Sequence, residues 1–467
     1  MKDEGSTKVV GYMPEDRPPI GAMVSLGFQQ VLTMFPATVL VAVLTKFDVG
    51  VTLLASGLGT IIALLVTKRK IPMYYGSSFS YIAVIMTVMS QFTQCKQLSY
   101  CPEGVKVAQV GIVLTAVFEI VIGLLIMRVG KKALDRVLPP IVTGSVAITI
   151  GIGLAYAALK NSGGFDFGNN VWLTPDITWK HWLVASITLI ATILFSVYLR
   201  GKGLLGMLPI LFGAILGYLV AIPFGLVNFD PVIAAEWVRL PRFTLPAFFD
   251  PAAWGYAFSI AIIFIATVPE STAHLYQMSL YIDELAVELG RKPSSIKNLI
   301  GLNLVADGSD DLIVGFLGGC AGTNYGENNS LMAITRNYSV PVLMAAGVIA
   351  ILLGFIGKLG ELVYSLPLAV QGGLSIYLFG IIGMQGIALI QSEKVNLFDP
   401  KNLAIGATIL LLGIGGNLVL PNSTYPFNIP VLFPNGIPAI VFGAIVGILL
   451  NLIFVFFKTP EVELVGV

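Results

Sequence analysis

Charge is scarce in this sequence: Asp, Glu, Lys and Arg make up 11% of 467 residues, against about 25% in soluble domains. With 56% hydrophobic residues and a mean hydropathy of +0.87, that shortage excludes a soluble globule. Histidine occurs twice and cysteine three times, and no CxxC or His/Cys spacing suggests a metal centre. Basic residues form no cluster large enough for nucleic acid, and a net charge of +1 adds nothing in that direction. No nucleophile–base constellation supports an enzyme, and no cofactor or metal is expected. Residues 1–19 are polar and Pro-rich, without the apolar centre or cleavage site of a signal peptide, so a retained N-terminal tail is expected.

What the chain has instead is apolar runs from end to end. Fourteen are read: 20–44, 49–66, 79–89, 107–127, 141–159, 182–199, 204–226, 252–275, 299–317, 327–334, 340–356, 366–390, 403–419 and 439–457. A helix of about 20 residues crosses about 30 Å of hydrocarbon, so the pattern predicts an all-α polytopic membrane protein. Two runs are too short to cross alone, and they follow YYGSSF and TNYGEN. Alternating the runs from a cytoplasmic N-terminus puts 19 of the 27 Lys and Arg inside, which obeys the positive-inside rule. Both termini are therefore expected in the cytoplasm, with the protein in the cell membrane. The loop holding Cys95 and Cys101 then lies outside, where the two are either free thiols or a disulfide.

The halves resemble each other. LPPIVTG at 138–144 recurs as LPLAVQG at 366–372, and Tyr75-Gly76 recurs as Tyr325-Gly326. Seven spans per half is odd, so the second repeat enters the membrane upside down. Repeats are expected at 20–228 and 252–457, with a tail at 458–467. Inverted repeats with paired broken helices point to a secondary transporter whose site lies at the breaks.

The central stretch is Gly322 to Arg336, GTNYGENNSLMAITR. Non-helical backbone at membrane depth is tolerated only where protein buries it or it lines a cavity. Glu327 begins the short helix there, as a simple cap or as a ligand group beside free N–H donors. Glu270 and His274 stand four apart and share one helix face; the pair either holds and passes a proton or is a satisfied structural contact. Asp307 is read as a member of a proton relay, Asp310 and Asp311 as a solvated helix end. Glu119 lies inside a span and faces either a partner group or an oligomer contact. His181 reads as interfacial.

These residues resemble the nucleobase/ascorbate transporter family, most closely its bacterial uracil permease branch. The match rests on TNYGENNSLMAITR with Glu270 and His274, and on YGSSF (75–79), MFPATVLV (34–41) and GGLSIYLFGIIG (372–383), from about Arg17 to the last span. The resemblance implies a 7+7 inverted repeat with core segments 1–4 and 8–11, gate segments 5–7 and 12–14, and short strands in the broken third and tenth segments. It implies that Glu270 and Glu327 accept ring N–H groups of a pyrimidine, and that the backbone N–H groups of Phe79 and Gly326 bind its carbonyls. Tyr325 would line the pocket, Ala37 would sit against the ligand, and His274 would couple the site to a proton.

The function so implied is proton-coupled uracil import by alternating access, with a homodimer suggested by the family alone. A purine or xanthine permease on the same fold is the alternative, and an anion transporter of related architecture is the rival from another class. The chain departs from the family in having Gln29-Gln30 where Gln-His is common, and Phe379 where uracil permeases carry tyrosine. Asn329 and Ser330 replace smaller or apolar residues.

Overall fold

Proline sets where many of the helices begin. Pro102, Pro140, Pro175, Pro209, Pro251 and Pro400 each open a helix, at a position where the missing N–H has no intrahelical partner and the fixed φ is already helical. In this computed structural model the described residues are 11–457 except 97, 131–135, 167–170, 201, 203–204, 207, 421–422, 430–432 and 434–435. Residues 1–10 of the expected N-terminal tail and the whole expected tail 458–467 lie outside the described residues.

The first half holds helices α1 (Ile20–Thr45), α2 (Val49–Val66), α3 (Ile82–Ser90), α4 (Pro102–Val129), α5 (Pro140–Gly153), α6 (Ala155–Gly163), α7 (Pro175–Tyr198) and α8 (Pro209–Ala221). The second holds α9 (Pro251–Ala261), α10 (Phe264–Glu288), α11 (Ile300–Leu317), α12 (Gly326–Thr335), α13 (Val340–Gly354), α14 (Gly357–Tyr364), α15 (Leu368–Ser392), α16 (Pro400–Leu410) and α17 (Ala439–Phe456). Each of the fourteen expected segments falls on helix. Among the described residues, eight helices are long and apolar enough to cross a membrane alone, or nine if α9 and α10, bent by 41°, form one span. The chain is a multi-pass membrane protein.

Packing separates the helices into two groups. In one, α4 lies along α11, α2 along α13, and α2 and α11 meet at the centre. In the other, α5 and α7 pack on α15, α7 on α8, and α16 on α17. The first group shows the inverted repeat directly: α1 packs on α13 and α9 packs on α4, so each half lends a helix to the other. The α2–α13 and α4–α11 contacts depend on small residues. A Cβ on Gly57 would come within 2.3 Å of the Gly347 carbonyl, and one on Gly301 within 2.5 Å of the Gly123 carbonyl. In a bilayer, where apolar side chains gain little by meeting each other, such close backbone approach is a main source of helix association.

Strands β1 (Tyr75–Ser77) and β2 (Gly322–Asn324) cross between these helices, antiparallel, with Gly76 opposite Thr323. All six residues are buried. Their edges are satisfied from the flanking helices. Ser56 and Thr60 of α2 donate to the Tyr75 carbonyl at 2.6 and 3.1 Å, and Asp311 of α11 accepts from the Gly322 N–H at 2.6 Å. This meets the requirement that irregular backbone at membrane depth find partners within the protein. It also corrects one expectation: Asp310 and Asp311 are buried, and Asp311 anchors a strand rather than ending a solvated helix.

Two further expectations are resolved. The loop cysteines Cys95 and Cys101 form a disulfide, and Cys320 is free and buried. Glu119 is buried and accepts the Thr267 hydroxyl at 2.9 Å, a partner group within the same chain. His181, expected at the membrane interface, is buried within the fold: its Nδ1 lies 3.1 Å from the Ile177 carbonyl, and Gly164 packs on its ring.

Candidate functional site

The two strands end where two half-helices begin. Ser78 caps the first, its hydroxyl accepting from the Ser80 N–H at 3.2 Å, so the helical turn opens at Phe79. Tyr325 precedes α12, which opens at Gly326 with Glu327 in its first turn. The first N–H groups of a helix have no intrahelical acceptor, so Phe79 and Gly326 present donors at the strand crossing. The Tyr75-Gly76 and Tyr325-Gly326 dipeptides are not structural equivalents. Counting from strand to cap, Ser78 corresponds to Tyr325 and Phe79 to Gly326, three residues out of register with the repeated dipeptide.

Two helices that carry an internal proline face this crossing. Pro36 in α1 and Pro269 in α10 remove an intrahelical hydrogen bond and loosen the helix locally. The next residue in each case is a candidate site residue, Ala37 and Glu270. Ala37 is buried, Glu270 half-buried and Glu327 exposed. Glu270 lies within electrostatic reach of His274, Glu327 and the Ser80 hydroxyl. The structure thus gathers Glu270, Glu327, His274, Phe79 and Gly326 around the ends of two half-helices. The combination offers carboxylate acceptors and main-chain donors, which suits a neutral ligand carrying both N–H and carbonyl groups.

His274 is held from behind. Its Nδ1 lies 2.8 Å from the Asn324 Oδ1 and 2.9 Å from the Asn324 carbonyl. Both partners accept, so Nδ1 carries a hydrogen and Nε2 is left without a partner from Asn324. Nε2 faces Gly326, where a Cβ would come within 2.7 Å of it. Asn324 is itself fixed: its Nδ2 donates to the Ser271 hydroxyl at 2.7 Å, as does Asn303 Nδ2. This Asn303–Ser271–Asn324 set was missed in the sequence. The available signal was amide side chains within apolar sequence.

Asp307 lies behind the strand crossing, against the Asn324 main chain of β2. It is buried in α11, its nearest polar neighbours are Ser271 and Asn324, and neither carboxylate oxygen has a hydrogen-bond partner among the described residues. Tyr325 is buried behind the crossing. Its hydroxyl donates to the Ser77 carbonyl at 2.7 Å and meets the Thr38 hydroxyl at 3.0 Å. It fastens α1 to β1, and its ring stacks over Gly76.

The departures from the family pattern have structural roles. Gln30 is buried in α1 and accepts from Asn328 Nδ2 at 2.7 Å, tying α1 to α12. Asn329 is buried and donates to the His274 carbonyl at 3.4 Å, while Ser330 donates to the Gly326 carbonyl at 3.0 Å. Phe379 is buried in α15. Tyr377, two residues before it, donates to the Ser196 hydroxyl on α7 and is turned away from the crossing.

Known proteins resemble this chain in sequence and in fold. The profile of the Permease family matches residues 21–421. The uracil permease of Bacillus caldolyticus is 37% identical over 441 residues, covering 94% of this chain and 93% of that protein. That of Bacillus subtilis (strain 168) is 35% identical over 450 residues, covering 96% of each. That of Escherichia coli (strain K12) is 33% identical over 439 residues, covering 94% and 92%. Among solved structures, the transmembrane domain of the cyanobacterial bicarbonate transporter BicA superposes with TM-score 0.59 at 16% identity, covering 88% of this chain and 99% of that one. SLC26A9 superposes with TM-score 0.62 at 14% identity, covering 95% and 66%. These two likenesses establish the fold alone, a mostly helical polytopic membrane architecture.

Proposed function

From the premise that the chain belongs to the permease family, we propose that it is a proton-coupled symporter importing uracil across the cell membrane by alternating access. The reading is supported by relatives named uracil permease along nearly the whole chain. The observation that carries it is the placing of Glu270 and Glu327 beside the free N–H groups that open two half-helices. A carboxylate accepts only, and uracil offers ring N–H donors flanked by carbonyls.

In the proposed mode the two carboxylates accept the ring N–H groups, and the Phe79 and Gly326 N–H groups donate to the carbonyls. Ala37 supplies the small wall opposite Glu270. A proton arriving from outside is taken up at His274 Nε2 and shared with Glu270. Asp307, buried behind Asn324, stores or relays it. Uptake of a proton beside the bound base lowers the charge that must cross, which couples the two movements. The core would be α1–α4 with α9–α13, and the gate α5–α8 with α15–α17, with both termini cytoplasmic, fourteen spans, and two copies per assembly.

A second reading, transport of a purine such as xanthine, is favoured by Phe379 on the gate side and by Asn329 and Ser330 on the core half-helix α12. The solved fold neighbours include a bicarbonate transporter, but two carboxylates at the crossing oppose an anion through like-charge repulsion. Competition separates these readings. Labelled uracil retained against excess xanthine and bicarbonate supports the pyrimidine assignment, and displacement by xanthine overturns it.

A further inference from the structure

A cavity lies away from the strand crossing, between the two helix groups. It encloses about 650 Å³, within the range of sites that hold small organic ligands. Its walls come from α4 (Phe118, Ile122), the α9–α10 bend (Ile262), the residues leading into α5 (Leu138) and α17 (Ile448). They are apolar throughout. A cleft of this kind, open to the bilayer at membrane depth, is matched in chemistry by an acyl chain.

One end of the cleft is flanked in the chain by two arginines. Val129 and Val137 line it, and their chain neighbours are Arg128, in the last turn of α4, and Arg136. Both arginines are exposed, and neither forms an ion pair among the described residues. Basic residues at the mouth of a cleft between membrane helices match an anionic headgroup, and arginine engages phosphate with paired donors.

The inverted repeat supplies an internal control. A smaller cleft of about 200 Å³ lies between α1, α8 and the α14–α15 segment, the counterparts of α9, α17 and the start of α5. The base beside it, Lys358, is already engaged: its Nζ donates to the Val232 and Ile233 carbonyls at 3.0 and 3.1 Å. Of these two clefts, and among the described residues, the larger one combines room with arginines that form no ion pair.

We propose that this cleft is a binding site for an anionic phospholipid, with an acyl chain between α4, α10 and α17 and the phosphate on Arg128 and Arg136. The site bridges the two helix groups, so a bound lipid holds them in one relative position, whatever the transported solute is.

The test is native mass spectrometry of the full chain purified from vesicles of phosphatidylcholine doped with phosphatidylglycerol. Wild type is expected to retain phosphatidylglycerol in preference to phosphatidylcholine. R128Q/R136Q is expected to retain about tenfold less, R128K/R136K to retain it, and the cleft-filling variant I262W to lose it with both arginines in place. Thermal unfolding of each variant establishes that it is folded, and R128K/R136K with I262W decide the matter if R128Q/R136Q is not. Equal retention in wild type and R128Q/R136Q, or undiminished retention in folded I262W, overturns the proposal.

Discussion

His274 and Asn324 are joined twice: the imidazole Nδ1 lies within 2.9 Å of both the side-chain and the main-chain oxygen of the asparagine. The residues stand 50 apart in sequence, one on a broken span and the other on a three-residue strand. The contact fixes the ring plane and leaves Nε2 toward Gly326. If Asn324 sets the protonation site, N324A will lower proton-driven uptake about tenfold and displace its pH profile, while uracil affinity changes little. An unchanged pH profile would show that the asparagine only packs.

Gly326 should tolerate no side chain. A Cβ there would meet His274 Nε2 at 2.7 Å, closer than any relaxed contact. G326A is expected to lose most uracil binding in isothermal titration, and the double variant G326A/H274A to bind more tightly than G326A alone. Independent, additive losses would mean the two do not share the space as described.

Gln30 and Asn328 connect α1 to the half-helix α12 through a buried hydrogen bond. Truncation at Gln30 leaves the Asn328 amide with only the Gln30 main-chain carbonyl at 3.0 Å. Q30A should therefore destabilise by about 1–3 kcal/mol, read as a lowered midpoint of thermal unfolding in detergent. A wild-type midpoint would contradict this.

Glu119 accepts the Thr267 hydroxyl in the core group, and a glutamine retains that acceptor. E119Q should keep wild-type stability to within about 1 kcal/mol, whereas E119A should lose about 1–3 kcal/mol. Equal losses in both would point to a requirement for the carboxylate itself.

Thiol counting checks the loop. With Cys95 and Cys101 bridged and Cys320 buried, Ellman's reagent should label no thiol in the folded protein and one after denaturation without reductant. Three labelled thiols would show the bridge absent.

The spans and the two breaks were legible because both are local. A run of apolar residues, or a Gly-rich polar interruption of one, announces itself within a dozen positions. The site residues Glu270, His274 and Glu327 stood out as ionisable groups in apolar sequence, and the structure gathers them. Partner choice was not legible. Glu119 meets Thr267 from 148 residues away, and Asp310 and Asp311 looked like a solvated terminus because two adjacent acids usually are one. Their burial follows from the strand that Asp311 supports, which only the three-dimensional crossing reveals. The three-residue slip in the Tyr-Gly match has the same origin: identical dipeptides suggested equivalence, but the helix caps set it.

The central claim is that Glu270 and Glu327 bind uracil while a proton drives it inward. Its most direct test is uracil uptake into proteoliposomes under an inward proton gradient, with a protonophore control, comparing wild type with E270Q and E327Q. The account predicts wild-type uptake that collapses with the protonophore, and loss of both uptake and uracil binding in each variant. Full uracil binding retained by both variants, or uptake indifferent to the protonophore, would contradict it.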